Sequence, residues 1–104
     1  MECDWTIKLH EGHHVLMEFQ DLDLPPANIR GVCDHARVSY GGYDTKGHRV
    51  MEDQVCGAGI PKVAKFASRS RWAWVNFLVM SPNHEITQFR GFWIKYHMVE
   101  EGKL

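Results

Sequence analysis

Apolar and polar residues alternate along much of this sequence, and few folds accommodate that pattern. Apolar side chains recur at every second position in residues 5–9 and 15–19. Successive side chains of a β-strand point to opposite faces, so a period of two predicts strands with one buried face. Residues 72–80 and 92–98 are also predicted to be strands; the first of these is rich in aromatic and β-branched residues.

The remaining segments complete an all-β pattern. Residues 36–40 and 50–56 are predicted to form shorter strands, whereas residues 60–67 have apolar positions at helical spacing but no clear cap. Residues 11–14 separate the first two strands and contain a glycine, so that pair is predicted to be a hairpin. Residues 81–88 are predicted to be a loop. Several short strands with turn signals between them favour an antiparallel sandwich.

Charge and length exclude some classes of protein. The chain has 104 residues, which favours one domain, and a formal net charge of −1. That charge argues against a nucleic-acid-binding protein, which usually carries a basic stripe. No apolar run approaches the roughly 20 residues that cross a bilayer, so we expect no membrane insertion by this chain. The three cysteines fit either an oxidised domain with an unpaired cysteine or a cytosolic protein with three thiols.

Motifs in a fixed order then point to a family. These are an opening Cys-x-Trp-x-Ile, a glycine before an alternating strand, two further cysteines, and a late Gly-Phe before a strand with a tyrosine. They stand at Cys3-Asp4-Trp5-Thr6-Ile7, Gly12, Cys33, Cys56-Gly57, Gly91-Phe92 and Tyr96. Over residues 3–96 the chain resembles the CUB domain family.

The resemblance implies a fold and a general role. The fold is an all-β, antiparallel, jelly-roll-like β-sandwich of the CUB type that lacks its first strand or strands. The domain is predicted to span residues 1–98, followed by a polar tail at residues 99–104. The implied role is a non-catalytic, extracellular recognition and adhesion module. It would form part of a larger secreted or membrane-anchored protein and bind a protein ligand without a cofactor.

The same resemblance implies how the cysteines pair. Cys33 and Cys56 match the third and fourth family cysteines, which form a disulfide. Cys3 matches the second, whose usual partner lies on an upstream segment that this sequence does not contain. We therefore expect Cys3 to be unpaired in this chain.

Many members of the family bind calcium through acidic residues, and this chain departs from that pattern. Residues 25–28 stand where the family has a glutamate before its third cysteine, and Ala36 and Pro82 stand where it has aspartates. Because Ca²⁺ prefers six to eight oxygen ligands, usually with several carboxylates, we expect no calcium site of the family kind.

One short stretch is a candidate for partner binding. Arg69, Arg71, Trp72 and Trp74 lie at or just before the strand at residues 72–80. If Val75 faces the core, alternation places both tryptophans on the opposite face. Tryptophan and arginine dominate binding hot spots, so this face is predicted to contact a protein or an anionic glycan.

Two alternatives differ in chemistry. His10, Glu11 and His14 match the letters of the H-E-x-x-H motif, which indicates a small metal-dependent hydrolase if these residues share a helix face. Gly12 and the flanking strands argue against that geometry. A secreted, glycan-binding, spermadhesin-like protein is the other alternative, since those proteins are single CUB domains.

Overall fold

The chain folds into two antiparallel β-sheets that face each other. A computed structural model describes residues 1–68, 70–80 and 89–100. Seven strands occur within these ranges, with no helix. They are β1 Glu2–Lys8, β2 His13–Asp23, β3 Ala36–Tyr43, β4 Arg49–Val55, β5 Lys65–Ala67, β6 Trp72–Val79 and β7 Gly91–Glu100. One sheet has the order β1-β6-β3-β4 and the other β5-β2-β7, which confirms the predicted β-sandwich.

The predicted hairpin between β1 and β2 is wrong. β1 pairs with β6, whereas β2 pairs with β5 and β7. Residues 9–12 therefore carry the chain from one sheet to the other. Alternation shows that each strand buries one face, but that condition is met equally by strands paired side by side and by strands facing each other across the core.

The core lies between the two sheets and is built from alternate side chains. Its most buried members come from β2 and the residue after it, and from β3 and β6. They are Val15, Met17, Phe19, Leu22, Leu24, Val38, Tyr40, Ala73 and Val75. The Phe19 and Tyr40 rings meet edge to face across the core, with centroids 5.4 Å apart. Burial of these inward positions fixes which face of each strand points outward.

The ambiguous segment at residues 60–67 forms only the three-residue strand β5. The residues that flank β5 also form backbone hydrogen bonds with β2: Phe19 N–H donates to the Ala64 carbonyl, and Ser68 N–H donates to the Val15 carbonyl. Pairing with β2 therefore outweighs the helical spacing of the apolar residues. The loop predicted at residues 81–88 lies outside the described residues.

The last strand runs further than the pattern predicted. β7 includes Val99 and Glu100, which pair with His14 and His13 of β2. Both residues were assigned to a polar tail, of which residues 101–104 lie outside the described part of the chain.

Candidate functional site: the Trp72 patch

The outer face of the four-stranded sheet carries the predicted binding residues. In β6, Ala73 and Val75 are buried in the core, so Trp72 and Trp74 point outward. Trp72 pairs with Lys8 of β1, and Trp74 pairs with Thr6. Cross-strand partners share a face of the sheet, so β1 contributes its polar side chains to the same surface.

Trp72 is surrounded by two cations and a second aromatic ring. Lys8 Nζ lies 5.1 Å from the Trp72 ring centroid, and Arg71 Cζ lies 5.5 Å from it. The Tyr43 ring meets Trp72 edge-on, with centroids 5.7 Å apart. The electron-rich face of tryptophan attracts cations at such distances. We call Lys8, Tyr43, Arg71 and Trp72 the Trp72 patch.

Two serines fix the backbone at Trp72. The Ser68 and Ser70 hydroxyls each donate to the Trp72 carbonyl at 2.8 Å, and the Trp72 N–H donates to Ser70 Oγ at 3.2 Å. Ser68 is buried, so these bonds compete little with water. The aromatic anchor is therefore held before any partner arrives, which lowers the entropic cost of binding.

Trp74 lies on the same face but is covered. Only 6% of it is exposed, and its indole N–H donates to the Gly42 carbonyl at 3.0 Å. The guanidinium of Arg49 lies over its ring, with Cζ 5.0 Å from the centroid. Trp74 thus supports the surface from beneath, and the exposed part of the predicted site is Arg71 with the partly buried Trp72. Arg69 lies outside the described residues.

Arg49 covers Trp74 and was missed by the sequence analysis. From β4 it reaches across the sheet to β1, where it donates to both carboxylate oxygens of Asp4 at 2.7 and 2.8 Å. It also donates to Thr6 Oγ at 3.1 Å. No local signal could have identified this contact, because Arg49 and Asp4 are 45 residues apart in the chain.

The ion pair predicts how stability depends on pH. Hydrogen bonds from Arg49, and then from Asn76, lower the pKa of Asp4 from 3.8 to about 2. A lowered pKa in the folded state stabilises the fold above the unfolded pKa, and this stability is lost as pH falls from about 4 to about 2. Because both side chains are over a third exposed, solvent screening limits the effect to about 1 kcal/mol or less.

Chemical denaturation between pH 2 and pH 5 measures this effect. Asp4→Asn should lose less stability than the unmodified chain as the pH falls. The control is Glu52→Gln, which removes an exposed carboxylate of β4 that forms no ion pair with a described residue. If Asp4→Asn and the unmodified chain have parallel pH profiles, the Arg49–Asp4 pair does not contribute.

One of the implied cysteine pairings is present in the structure. Cys33 and Cys56 form a disulfide with their Cα atoms 6.0 Å apart, which confirms that prediction. The bond ties the loop between β2 and β3 to the end of β4. Cys3 is a partly buried free thiol in β1.

The region that matches the family's calcium site holds few carboxylates. Ala36 is buried at the start of β3, and Asp34 accepts a hydrogen bond from the Asn28 amide at 3.1 Å. Among residues 1–68, 70–80 and 89–100, no three acidic, histidine or cysteine side chains are grouped to hold a metal ion. Pro82 is not among these residues.

We expect calcium to leave the stability of the chain unchanged. Thermal unfolding with millimolar CaCl₂ should give the same midpoint as with MgCl₂ at equal ionic strength. A ligand that binds only the folded state raises stability with its concentration, so a calcium-specific rise in the midpoint would contradict this prediction.

The histidines of the H-E-x-x-H letters do not lie on a helix. Glu11 and Gly12 form a turn, whereas His13 and His14 begin β2. The His13 ring hydrogen-bonds the Glu11 carbonyl, and the His14 ring hydrogen-bonds the Ser68 carbonyl. The helical turn that would bring two histidines and a glutamate to one metal is absent from this segment.

A second surface was not predicted from the sequence. A groove of about 540 Å³ opens between edge strands β1 and β7, with Trp5, Trp93 and Tyr96 among its lining residues. These three side chains are 47%, 61% and 56% exposed. The strand at residues 92–98 was predicted, but the groove depends on which strands form the edges of the two sheets, and that is not visible in the sequence.

None of the residues that the structure describes belongs to a helix long and apolar enough to cross a bilayer.

Comparisons with known proteins agree with this geometry. The family model described as CUB domain matches residues 1–96. Among solved structures, the CUB1-EGF-CUB2 domain of human MASP-1/3 matches with a TM-score of 0.75 at 19% identity. The match covers 96% of this chain and 36% of that chain, so this chain spans about a third of the length of the matched structure. At this identity the likeness concerns the fold alone. No curated protein matches the sequence.

Proposed function

The chain belongs to the CUB domain family, whose members are extracellular protein-interaction modules, and on that premise we propose that it recognises a protein through the Trp72 patch. In this role the chain is one non-catalytic module of a larger secreted or membrane-anchored protein.

The observation that carries the proposal is the fixed, partly exposed Trp72 between two cations. Tryptophan and arginine are the residues most enriched in binding hot spots, where they act as rigid anchors. Trp72 is held through its backbone by Ser68 and Ser70, and the Tyr43 ring limits its side chain. Lys8 and Arg71 supply charge at the same position.

Two alternatives have less support. A hydrolase would need His10, Glu11 and His14 on one helix face, whereas this segment is a turn followed by a strand. A glycan-binding, spermadhesin-like role would use an aromatic ring with a free face for sugar stacking. Both Lys8 and Arg71 lie over the Trp72 ring, which favours a protein ligand.

Binding to a panel of purified extracellular domains tests the proposal. For any domain that binds the unmodified chain, Trp72→Ala should weaken binding by about tenfold or more, the loss typical of a hot spot. The matched control is Trp93→Ala, which removes an exposed tryptophan from β7. Unchanged affinity of Trp72→Ala, with cooperative unfolding retained, would contradict the proposal.

A further inference from the structure

We propose that the Trp72 patch binds an extended acidic segment of the partner protein, with carboxylates at alternate positions that pair with Lys8 and Arg71. This inference rests on the proposed function and names the chemistry of its partner.

The charges on this face are unevenly satisfied. Asp4 accepts hydrogen bonds from Arg49 and Asn76, and Glu2 accepts one from Asn76. At the Trp72 end, by contrast, neither Lys8 nor Arg71 forms an ion pair with a carboxylate in the described part of the chain. The carboxylates on this face are therefore already engaged, whereas two cations remain free to bind an anion.

The two cations lie close enough to one ring for a single extended peptide to contact both. Both lie within 5.5 Å of the same ring centroid. In an extended segment, side chains two residues apart point the same way and lie roughly 6.5 Å from each other. Two such carboxylates can therefore meet Lys8 and Arg71 while the backbone between them passes the Trp72 ring.

The position of the cations favours a peptide over a sulfated or carboxylated sugar. A sugar ring gains affinity by stacking its C–H face on an open aromatic face. Both cations lie over the ring of Trp72, and the Tyr43 ring meets it edge-on. The Trp72 ring thus already contacts three side chains, and the groups left to a partner are the two positive charges. Carboxylates on a flexible backbone can pair with both.

The test uses the full chain and a synthetic peptide in which glutamate alternates with glycine, with a glutamine version as its control. Titration at low salt should show binding of the glutamate peptide alone. Lys8→Gln and Arg71→Gln should each weaken it by about fivefold, the value expected for one exposed ion pair. Lys95→Gln, on β7 of the other sheet, should leave it unchanged. Salt at roughly 0.5 M should abolish most of the binding, because exposed charges are then screened.

Three outcomes would overturn the inference. One is equal binding of the glutamate peptide to the unmodified chain and to both charge variants. Another is a heparin oligosaccharide that binds through Lys8 and Arg71 while the peptide does not bind. The third is an extracellular domain that needs Trp72 but is not displaced by the peptide. This last result would leave the proposed function intact, whereas an extracellular domain that binds Trp72→Ala normally would reject the function itself.

Discussion

Trp74→Ala is expected to lower the free energy of unfolding by about 3–5 kcal/mol, the range for truncating a buried aromatic side chain. Trp74 is 6% exposed although it lies on the outer face of its sheet. The truncation leaves a cavity, removes the hydrogen bond to the Gly42 carbonyl and takes away the ring beneath Arg49. Urea or guanidinium denaturation, monitored by far-UV circular dichroism, measures the loss.

Trp93→Ala is the matched control for this truncation. Trp93 is 61% exposed, so its removal should change stability by about 0.5 kcal/mol or less. If Trp74→Ala lost less than about 1 kcal/mol, Trp74 would not be the covered support that the structure describes. The same contrast guides binding experiments, because a Trp74 variant would lose affinity through unfolding and only Trp72 reports on contact.

Removal of the Cys33–Cys56 disulfide is expected to cost about 3 kcal/mol. The bond closes a loop between residues separated by 23 positions, and in the chain-entropy model it restricts the unfolded state by about that amount. The double variant Cys33→Ala/Cys56→Ala avoids placing new polar groups near the core. Its denaturation midpoint, compared with that of the oxidised chain, gives the difference in stability.

Cys3→Ala is the control for that double variant. Cys3 is a free thiol that cross-links no loop, so its replacement should cost about 1 kcal/mol or less. A reducing agent should destabilise the unmodified chain as the double substitution does, and it should leave the double variant unchanged. Equal stability of the oxidised and reduced chains would contradict the stabilising role of the disulfide.

Local patterns predicted much of this fold. Aromatic and β-branched residues indicated the strand at residues 72–80. Alternation in residues 15–19 identified a second strand and its buried face, because a side-chain period of two is set by the strand itself. With Val75 taken to face the core, alternation also placed Trp72 and Trp74 on the outward face. The family resemblance supplied the Cys33–Cys56 pair, which no count of three cysteines could have chosen.

Contacts between distant strands could not be predicted in this way. Alternation shows which face is buried but not which strand is the neighbour, so β1 and β2 were wrongly paired. The burial of Trp74 depends on Arg49, which covers it only because β4 and β1 belong to the same sheet. Similarly, the groove lined by Trp5 and Trp93 depends on β1 and β7 lying at the edges of different sheets.

The four tryptophans allow one direct test of where a partner binds. Trp72 belongs to the Trp72 patch, Trp74 lies beneath Arg49, and Trp5 and Trp93 line the groove between β1 and β7. Their indole N–H signals can be assigned in a ¹⁵N-labelled chain by single substitutions and followed during titration with a binding extracellular domain. A shift confined to Trp72, with Trp5 and Trp93 unchanged, is the expected result. Shifts of Trp5 and Trp93 with Trp72 unchanged would contradict recognition through the Trp72 patch and move the binding site to the groove.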